Sequence, residues 1–231
     1  MTEKICPICN GLGVIIYTKD GYEYGRFCEC REQENARARM NASGVSEEMQ
    51  KIGFNDYIVN NDQRKNARDK AVEYYKAFLE KEKTRNNSII FCGQVGSGKT
   101  MLSLAITNNL INHAKVDCYY MPYREGITEL KSLVKNSLEY EKAMKPYKHS
   151  RVLVIDDLFK GKLTEADVNA MFEIVNYRYM NNKPIIVSTE KSPEEVQDFD
   201  VGIGSRILEM CKGNIIYMRG KDLNFRLEGI L

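Results

Sequence analysis

Apolar residues fall along the chain in two recurring patterns. Short, nearly continuous apolar runs occur at Ser88–Cys92, Asp117–Met121, Arg151–Ile155, Pro184–Ser188 and Asn214–Met218. Apolarity at consecutive rather than alternate positions suits strands covered on both faces, and therefore a parallel sheet. Helical spacing fills the intervals. Thr164–Met180 predicts a helix, opened by Thr164 and Asp167 at capping-box positions, with Val168, Met171, Phe172, Val175 and Tyr179 on one face. Residues 64–85 predict another, with Ala71, Val72, Tyr75, Phe78 and Leu79 turned the same way. Strand alternating with helix predicts a three-layer α/β domain.

The first fifty residues follow neither pattern. Glycines at 11, 13, 21 and 25 predict turns and short hairpins, with Val14–Tyr17 as one strand. A charged, Ala-rich stretch from Arg31 predicts a helix and linker ending near Gly44, then a short helix capped by Ser46. The expected boundary lies near residue 50: a small module over 1–50 and the α/β domain over 51–231. A chain of 231 residues has room for that pair and not for two large domains.

Cysteine usage changes the picture of the small module. Four of seven cysteines, Cys6, Cys9, Cys28 and Cys30, fall within it, in two close pairs with no histidine nearby. Four thiolates in two pairs are what structural zinc requires, and about thirty residues have too little core to fold without a staple. Free thiols, or a redox pair at Cys6 and Cys9, are the alternatives, but clustered exposed thiols oxidise and no thioredoxin-like strands surround them. The net charge of +2 excludes bulk electrostatics as a reason to bind nucleic acid, so any such surface must be local. No apolar run approaches the roughly 20 residues of a membrane span, and the polar start lacks a signal-peptide core. A cytoplasmic protein with no membrane partner is expected.

The chemistry is concentrated at Gly93-Gln94-Val95-Gly96-Ser97-Gly98-Lys99-Thr100, which fits G-x-x-x-x-G-K-[ST] at every position. It follows an apolar run and opens a predicted helix reaching about His113. Its glycines let backbone N–H groups turn inward around phosphate oxygens at the positive end of that helix. Lys99 would reach the terminal phosphates, the Thr100 hydroxyl would ligate Mg²⁺, and Met101 closes the segment. A second half follows another strand, at Val152-Leu153-Val154-Ile155-Asp156-Asp157. Carboxylates at the C-terminal end of a buried parallel strand lie where α/β sheets bind ligands. Asp156 would hold Mg²⁺ and Asp157 would polarise an attacking water, which makes ATP with Mg²⁺ the expected ligand.

Together with Gly204-Ser205-Arg206-Ile207, these segments resemble the AAA+ ATPases, and among them the DnaC/DnaI-type replicative helicase loaders of bacteria and phages. Asp156–Lys162 and Ile203–Cys211 look particularly like phage-encoded loaders. The resemblance covers about Phe54 to the C-terminus. It implies a P-loop AAA+ core with five parallel strands and no lid domain. It further implies nucleotide-dependent self-association, a hexameric helicase gripped by the cysteine module, and delivery onto single-stranded DNA. Arg206 would reach a neighbour's γ-phosphate from the start of a helix over Ser205–Cys211, and a planar, permanently charged fork suits that task. Two positions depart from the family. Glu190 falls at the place of the polar sensor, usually Asn, with Thr189 as substitute, and Asp157 stands where many relatives carry Glu. Both imply slow hydrolysis. Phe54 or Tyr57 would border the base, and Arg226 would contact a neighbouring subunit's nucleotide.

The stretch Tyr119–Arg151 interleaves Tyr119, Tyr120, Tyr123, Tyr140 and Tyr147 with Arg124, Lys131, Lys135, Lys142, Lys145, Lys148 and Arg151. Such a mixture suits single-stranded DNA. A solvated helical face over core tyrosines fits it equally well. Two further functional readings stand beside the loader: a transposition helper ATPase with a similar core, and a nucleotide-gated adaptor with little turnover.

Overall fold

A computed structural model of the chain describes residues 6–220 and 223–225. A hairpin of β1 (Val14–Lys19) and β2 (Tyr22–Phe27) comes first, its two-residue turn made by Asp20 and Gly21, both at positive φ. That geometry matches the right-handed twist of paired strands. Helix α1 (Glu29–Ala42) follows and is stopped by Gly44 at φ +82°. The chain after it folds back into the core, where Met40 and Val45 are buried. Ser46 accepts a hydrogen bond from the Met49 amide and opens a single 3-10 turn, the short helix expected there.

Helix α2 (Asp62–Lys81) begins two residues earlier than expected, because the Asn61 side chain caps it by accepting from the Arg64 amide. Its buried stripe is Ala67, Ala71, Tyr74 and Phe78, and Leu79 lies 56% exposed. The predicted face is therefore rotated by one residue. Tyr74 and Tyr75 are equivalent in sequence, and Tyr74 goes inward because its hydroxyl reaches the Asn87 carbonyl at 2.8 Å.

The remaining elements are β3 (Ile89–Gly93), α3 (Lys99–Asn112), β4 (Cys118–Pro122), α4 (Tyr123–Leu133), α5 (Ser137–His149) and β5 (Val152–Asp156). They continue with α6 (Glu165–Met180), β6 (Ile185–Thr189), α7 (Pro193–Phe199), α8 (Val201–Met210) and β7 (Ile215–Met218). All five apolar runs are strands, joined in parallel in the order β4-β5-β6-β3-β7. Strand β3 sits between β6 and β7, so the loop leaving its C-terminal end opens at the crevice where ligands gather in such sheets.

Alternate strand residues feed two cores. Ile89, Phe91, Val152 and Val154 meet α2 and α3 on one side, and Ile90, Cys92, Leu153 and Ile155 meet α4 to α8 on the other. This is the three-layer arrangement. Among the described residues no helical domain follows β7. In α6 the Thr164–Asp167 capping pair forms as expected, with Asp167 accepting from the Thr164 amide at 2.6 Å. Met171 and Val175 are buried as expected, while Phe172 lies 40% exposed. Helix α8 starts at Val201 rather than Ser205, because the Asp200 carboxylate caps it by accepting from the Ile203 amide. Arg206 therefore sits in mid-helix. Arg226 lies outside the described residues.

Candidate nucleotide site

The cradle occupies the turn between β3 and α3. Gly98 is the N-cap of α3 at φ +88°, and a Cβ there would lie 2.5 Å from the Tyr57 ring. Gly96, at φ +79°, is packed as tightly against the Asn224 side chain. Only glycine meets both conditions, a left-handed backbone and a neighbour in contact. The Tyr57 hydroxyl donates to the Ser97 carbonyl at 2.9 Å and the Phe225 amide to the Gly96 carbonyl at 3.0 Å, so the loop is held from two sides.

A cleft of 340 Å³ opens over this loop. Val95, Gly96, Ser97, Gly98, Lys99, Thr100 and Met101 line it together with Asp157, Lys160 and Glu190, and Tyr57, Ile58, Arg64 and Phe225 form its far wall. Gly93 and Gln94 lie at its back, where their carbonyls accept from the Lys99 ammonium at 2.8 and 2.7 Å. Burial lowers the Lys99 pKa, against the pull of Glu190, Asp157 and Asp156. Of the two aromatics expected beside a base, Tyr57 lines the cleft. Phe54 does not; it packs on Tyr75 with ring centroids 5.9 Å apart.

The carboxylates arrive from β5. Thr100 Oγ1 donates to Asp156 Oδ1 at 2.8 Å, so the two residues expected to share Mg²⁺ already touch across 56 positions of sequence. Ser188 Oγ also donates to Asp156 Oδ1, at 2.5 Å, and Tyr120 donates to Oδ2 at 2.8 Å. Burial, reinforced by the Asp156 charge, pushes the Tyr120 phenol well above its ordinary range and keeps it a donor. A hydroxyl and a carboxylate at the mouth of a phosphate loop are hard oxygen donors of the kind Mg²⁺ takes. The residues fit the ion.

Asp157, at φ +56°, turns away from β5 and accepts from Lys160 Nζ at 2.6 Å. Lys160 also pairs with Glu190 at 3.2 Å. The bridge answers the question raised by a carboxylate at the sensor position, since one ammonium serves both acids. Thr189 does not substitute there: its hydroxyl donates to the Leu158 carbonyl at 2.8 Å and is buried. Nothing in the residue pattern points to Lys160, Ser188 and Tyr120 as parts of this site. Only the register, with Pro122 beside Asp156 and Ile155 beside Val187, brings the strand ends together.

Arg206 lies elsewhere. It is half-buried between α8 and α6, with its guanidinium 5.2 Å from the Phe172 ring and 5.5 Å from Tyr179, and Nη1 donates to the Gly202 carbonyl. It does not line the cleft of its own chain.

The four module cysteines converge. Their sulfurs all lie within 4.8 Å of one another, with Cys9 and Cys30 at 3.4 Å and Cys6 and Cys28 at 3.9 Å. A tetrahedral zinc site with Zn–S near 2.3 Å has sulfurs about 3.8 Å apart, so the cluster fits the ion. Cys92, Cys118 and Cys211 are buried singly in the main cores.

Of the two readings of 119–151, core tyrosines beneath a helical face fit the structure better. Tyr120, Tyr123 and Tyr147 are buried, and Tyr140 donates to Glu173 at 3.0 Å. Lys131 pairs with Asp167, Lys148 with Glu173 and Arg151 with Glu82. Three of the five tyrosines are buried in the core, Tyr119 and Tyr140 pack against it, and three of the seven cations are paired within the fold. Among the described residues no helix is long and apolar enough to cross a membrane.

Known proteins resemble this chain over most of its length. The profile of the bacterial DnaA ATPase domain matches residues 34–211. The phage-like element PBSX protein XkdC of Bacillus subtilis (strain 168) is 33% identical over 234 residues, which cover 97% of this chain and 87% of that protein. The replicative helicase loader DnaC of Escherichia coli (strain K12) is 27% identical over 195 residues, 81% of this chain and 76% of the relative. Among solved structures, that of the DnaC helicase loader superposes with a TM-score of 0.64 at 23% identity, covering 75% of this chain and 100% of that one. This last likeness shows the fold.

Proposed function

The chain belongs to the bacterial DnaA ATPase-domain family, as a phage-associated, DnaC-like AAA+ protein, and from that premise we propose that it is an ATP-dependent loader of a replicative hexameric helicase. The observation that carries the reading is the similarity to the Escherichia coli loader across 81% of this chain. The phosphate cradle beside paired carboxylates supports it.

The amides of Gly93–Thr100 would hold the phosphates of ATP, with Lys99 released from its loop carbonyls to the terminal phosphate. Thr100 and Asp156 would hold Mg²⁺, which when bound offsets phosphate charge and orients the chain of phosphates. Asp157 would take the proton of the attacking water once Lys160 shifts. Arg206, absent from its own cleft, would serve a neighbour's site on self-association. Turnover would be slow, because Asp157 stands where many relatives carry the longer Glu and Glu190 adds a carboxylate at the sensor position. The cysteine module over 1–50 would hold zinc and contact the helicase, while residues 51–231 bind ATP.

The test is a loading assay on closed single-stranded circles. The reading predicts that a replicative helicase enters the circles only when this protein and ATP are present, and that Lys99→Ala abolishes entry. Entry at the same rate without the protein, or capture of a transposase in place of a helicase, would move the assignment to the transposition class. No loss of function in a turnover-dead, binding-competent Asp157→Asn would favour the nucleotide-gated adaptor.

A further inference from the structure

The hairpin β1–β2 has two unlike faces. Its register sets Ile15 opposite Arg26, Tyr17 opposite Tyr24 and Lys19 opposite Tyr22. Side chains alternate along a strand, so these six share one face, and Val14, Ile16, Thr18, Glu23, Gly25 and Phe27 share the other. The first face carries three tyrosines and two cations and no carboxylate: Glu23 is on the opposite side and Asp20 is in the turn.

All three tyrosines are open to solvent, Tyr22 at 71% and Tyr17 and Tyr24 at 45% and 44%; Lys19 and Arg26 are exposed as well. The Tyr17 and Tyr24 rings are stacked across the strands, centroids 5.7 Å apart and planes 23° from parallel. This platform is anchored at its root. The Cys28 amide donates to the Gly13 carbonyl at 2.9 Å, and the four sulfurs gather the chain before and after the hairpin.

We propose that this face binds single-stranded nucleic acid, with bases stacking on Tyr17, Tyr24 and Tyr22 and backbone phosphates meeting Lys19 and Arg26. Stacking needs unpaired bases, which excludes a duplex as the main ligand, and every base has a π-face, so the contact needs no sequence. Charge complementarity selects this occupant: two unpaired-sign cations beside a tyrosine platform attract a polyanion, whereas an apolar protein surface would suit Ile16 and Phe27 on the opposite face. The assignment also supplies what the 119–151 segment does not, since the tyrosines there are buried or bonded within the fold. It extends the loader reading by giving it a DNA surface, yet it stands on the hairpin alone.

The experiment uses the full chain without nucleotide and a labelled oligothymidylate, followed by fluorescence anisotropy. Tyr17→Ala with Tyr24→Ala is expected to weaken binding by about tenfold or more, and Tyr17→Phe with Tyr24→Phe, which keeps both rings, to retain it. Lys19→Glu with Arg26→Glu should make the dependence of log K on log salt shallower by about 1.4, the share of two phosphate contacts on a single strand. ATP affinity should be unchanged throughout, which separates a local effect from unfolding. Unchanged oligonucleotide affinity in the alanine pair overturns the proposal. So does loss of a protein partner with DNA binding intact. A failure of helicase capture would remove the loader reading and leave these outcomes untouched.

Discussion

Lys160 carries the charge balance of the nucleotide site. Its ammonium spans Asp157 at 2.6 Å and Glu190 at 3.2 Å, and those carboxylates, with Asp156, are the acids that also pull on Lys99. The hydrogen bond to Asp157 raises the Lys160 pKa, against burial, and that to Glu190 adds to the rise. Removing the cation leaves two acids to face an incoming polyphosphate. Lys160→Ala should therefore lower kcat/KM for ATP by about tenfold, the lower part of the range for a charge-assisted contact, since the side chain is 43% exposed. In a Glu190→Gln background the same substitution should cost much less. A steady-state ATPase double-mutant cycle measures the difference, and simple additivity would contradict the bridge. Gly98→Ala should reduce ATP affinity by more than tenfold in calorimetry, because the new methyl group meets the Tyr57 ring at a backbone angle that L residues rarely adopt. The cradle and the Asp156-Asp157 pair were legible because each is contiguous in sequence. The Lys160 bridge was not, because Glu190 reaches it from a different strand and no periodicity links them.

At the scale of elements, the five strands and the main helices were legible from apolar runs and spacing, and tyrosine was the hardest residue to place. Tyrosine is apolar along its ring and polar at its tip, so its position in a sequence leaves its burial open. Tyr74 and Tyr75 exchanged places on α2 for that reason, and the two open readings of 119–151 differed by it, with Tyr120, Tyr123 and Tyr147 buried. The start of α8 was missed because the capping residue, Asp200, lies before the segment that carries the family resemblance. The helix is nonetheless tightly placed. A Cβ on Gly204 would lie 2.3 Å from the Val196 carbonyl oxygen and 2.6 Å from the Gln197 Cα, where α7 crosses. Gly204→Ala must push the two helices apart, and we expect a loss of about 1–3 kcal/mol, read as a lower denaturant midpoint with an unchanged slope. The cysteine cluster acts on its own element. Cys9→Ser, or treatment with a strong chelator, should expose residues 14–27 to protease within the intact chain, while the main unfolding transition of the α/β domain stays in place. Protection that persists with no metal detected would remove the zinc assignment.

The whole molecule presents its reactive parts on separate surfaces. The cleft holds cradle and carboxylates, while Arg206, on α8, sets its guanidinium over the Phe172 and Tyr179 rings, with Phe172 40% exposed. An arginine absent from the cleft of its own chain, close to the partly exposed Phe172, suits the proposed role in a second copy's site. Arg206→Ala should lower turnover about a thousandfold, and mixing it with Lys99→Ala should restore part of the activity, since one supplies an intact site and the other the arginine. No recovery on mixing would contradict a shared site. The most direct measurement is capture: tagged protein is incubated with a purified hexameric replicative helicase, with ATP or without nucleotide, and the retained material is weighed by mass photometry. The account predicts a complex larger than the helicase hexamer that forms with ATP and is weakened by Lys99→Ala. A helicase that passes through unbound under both conditions would contradict it.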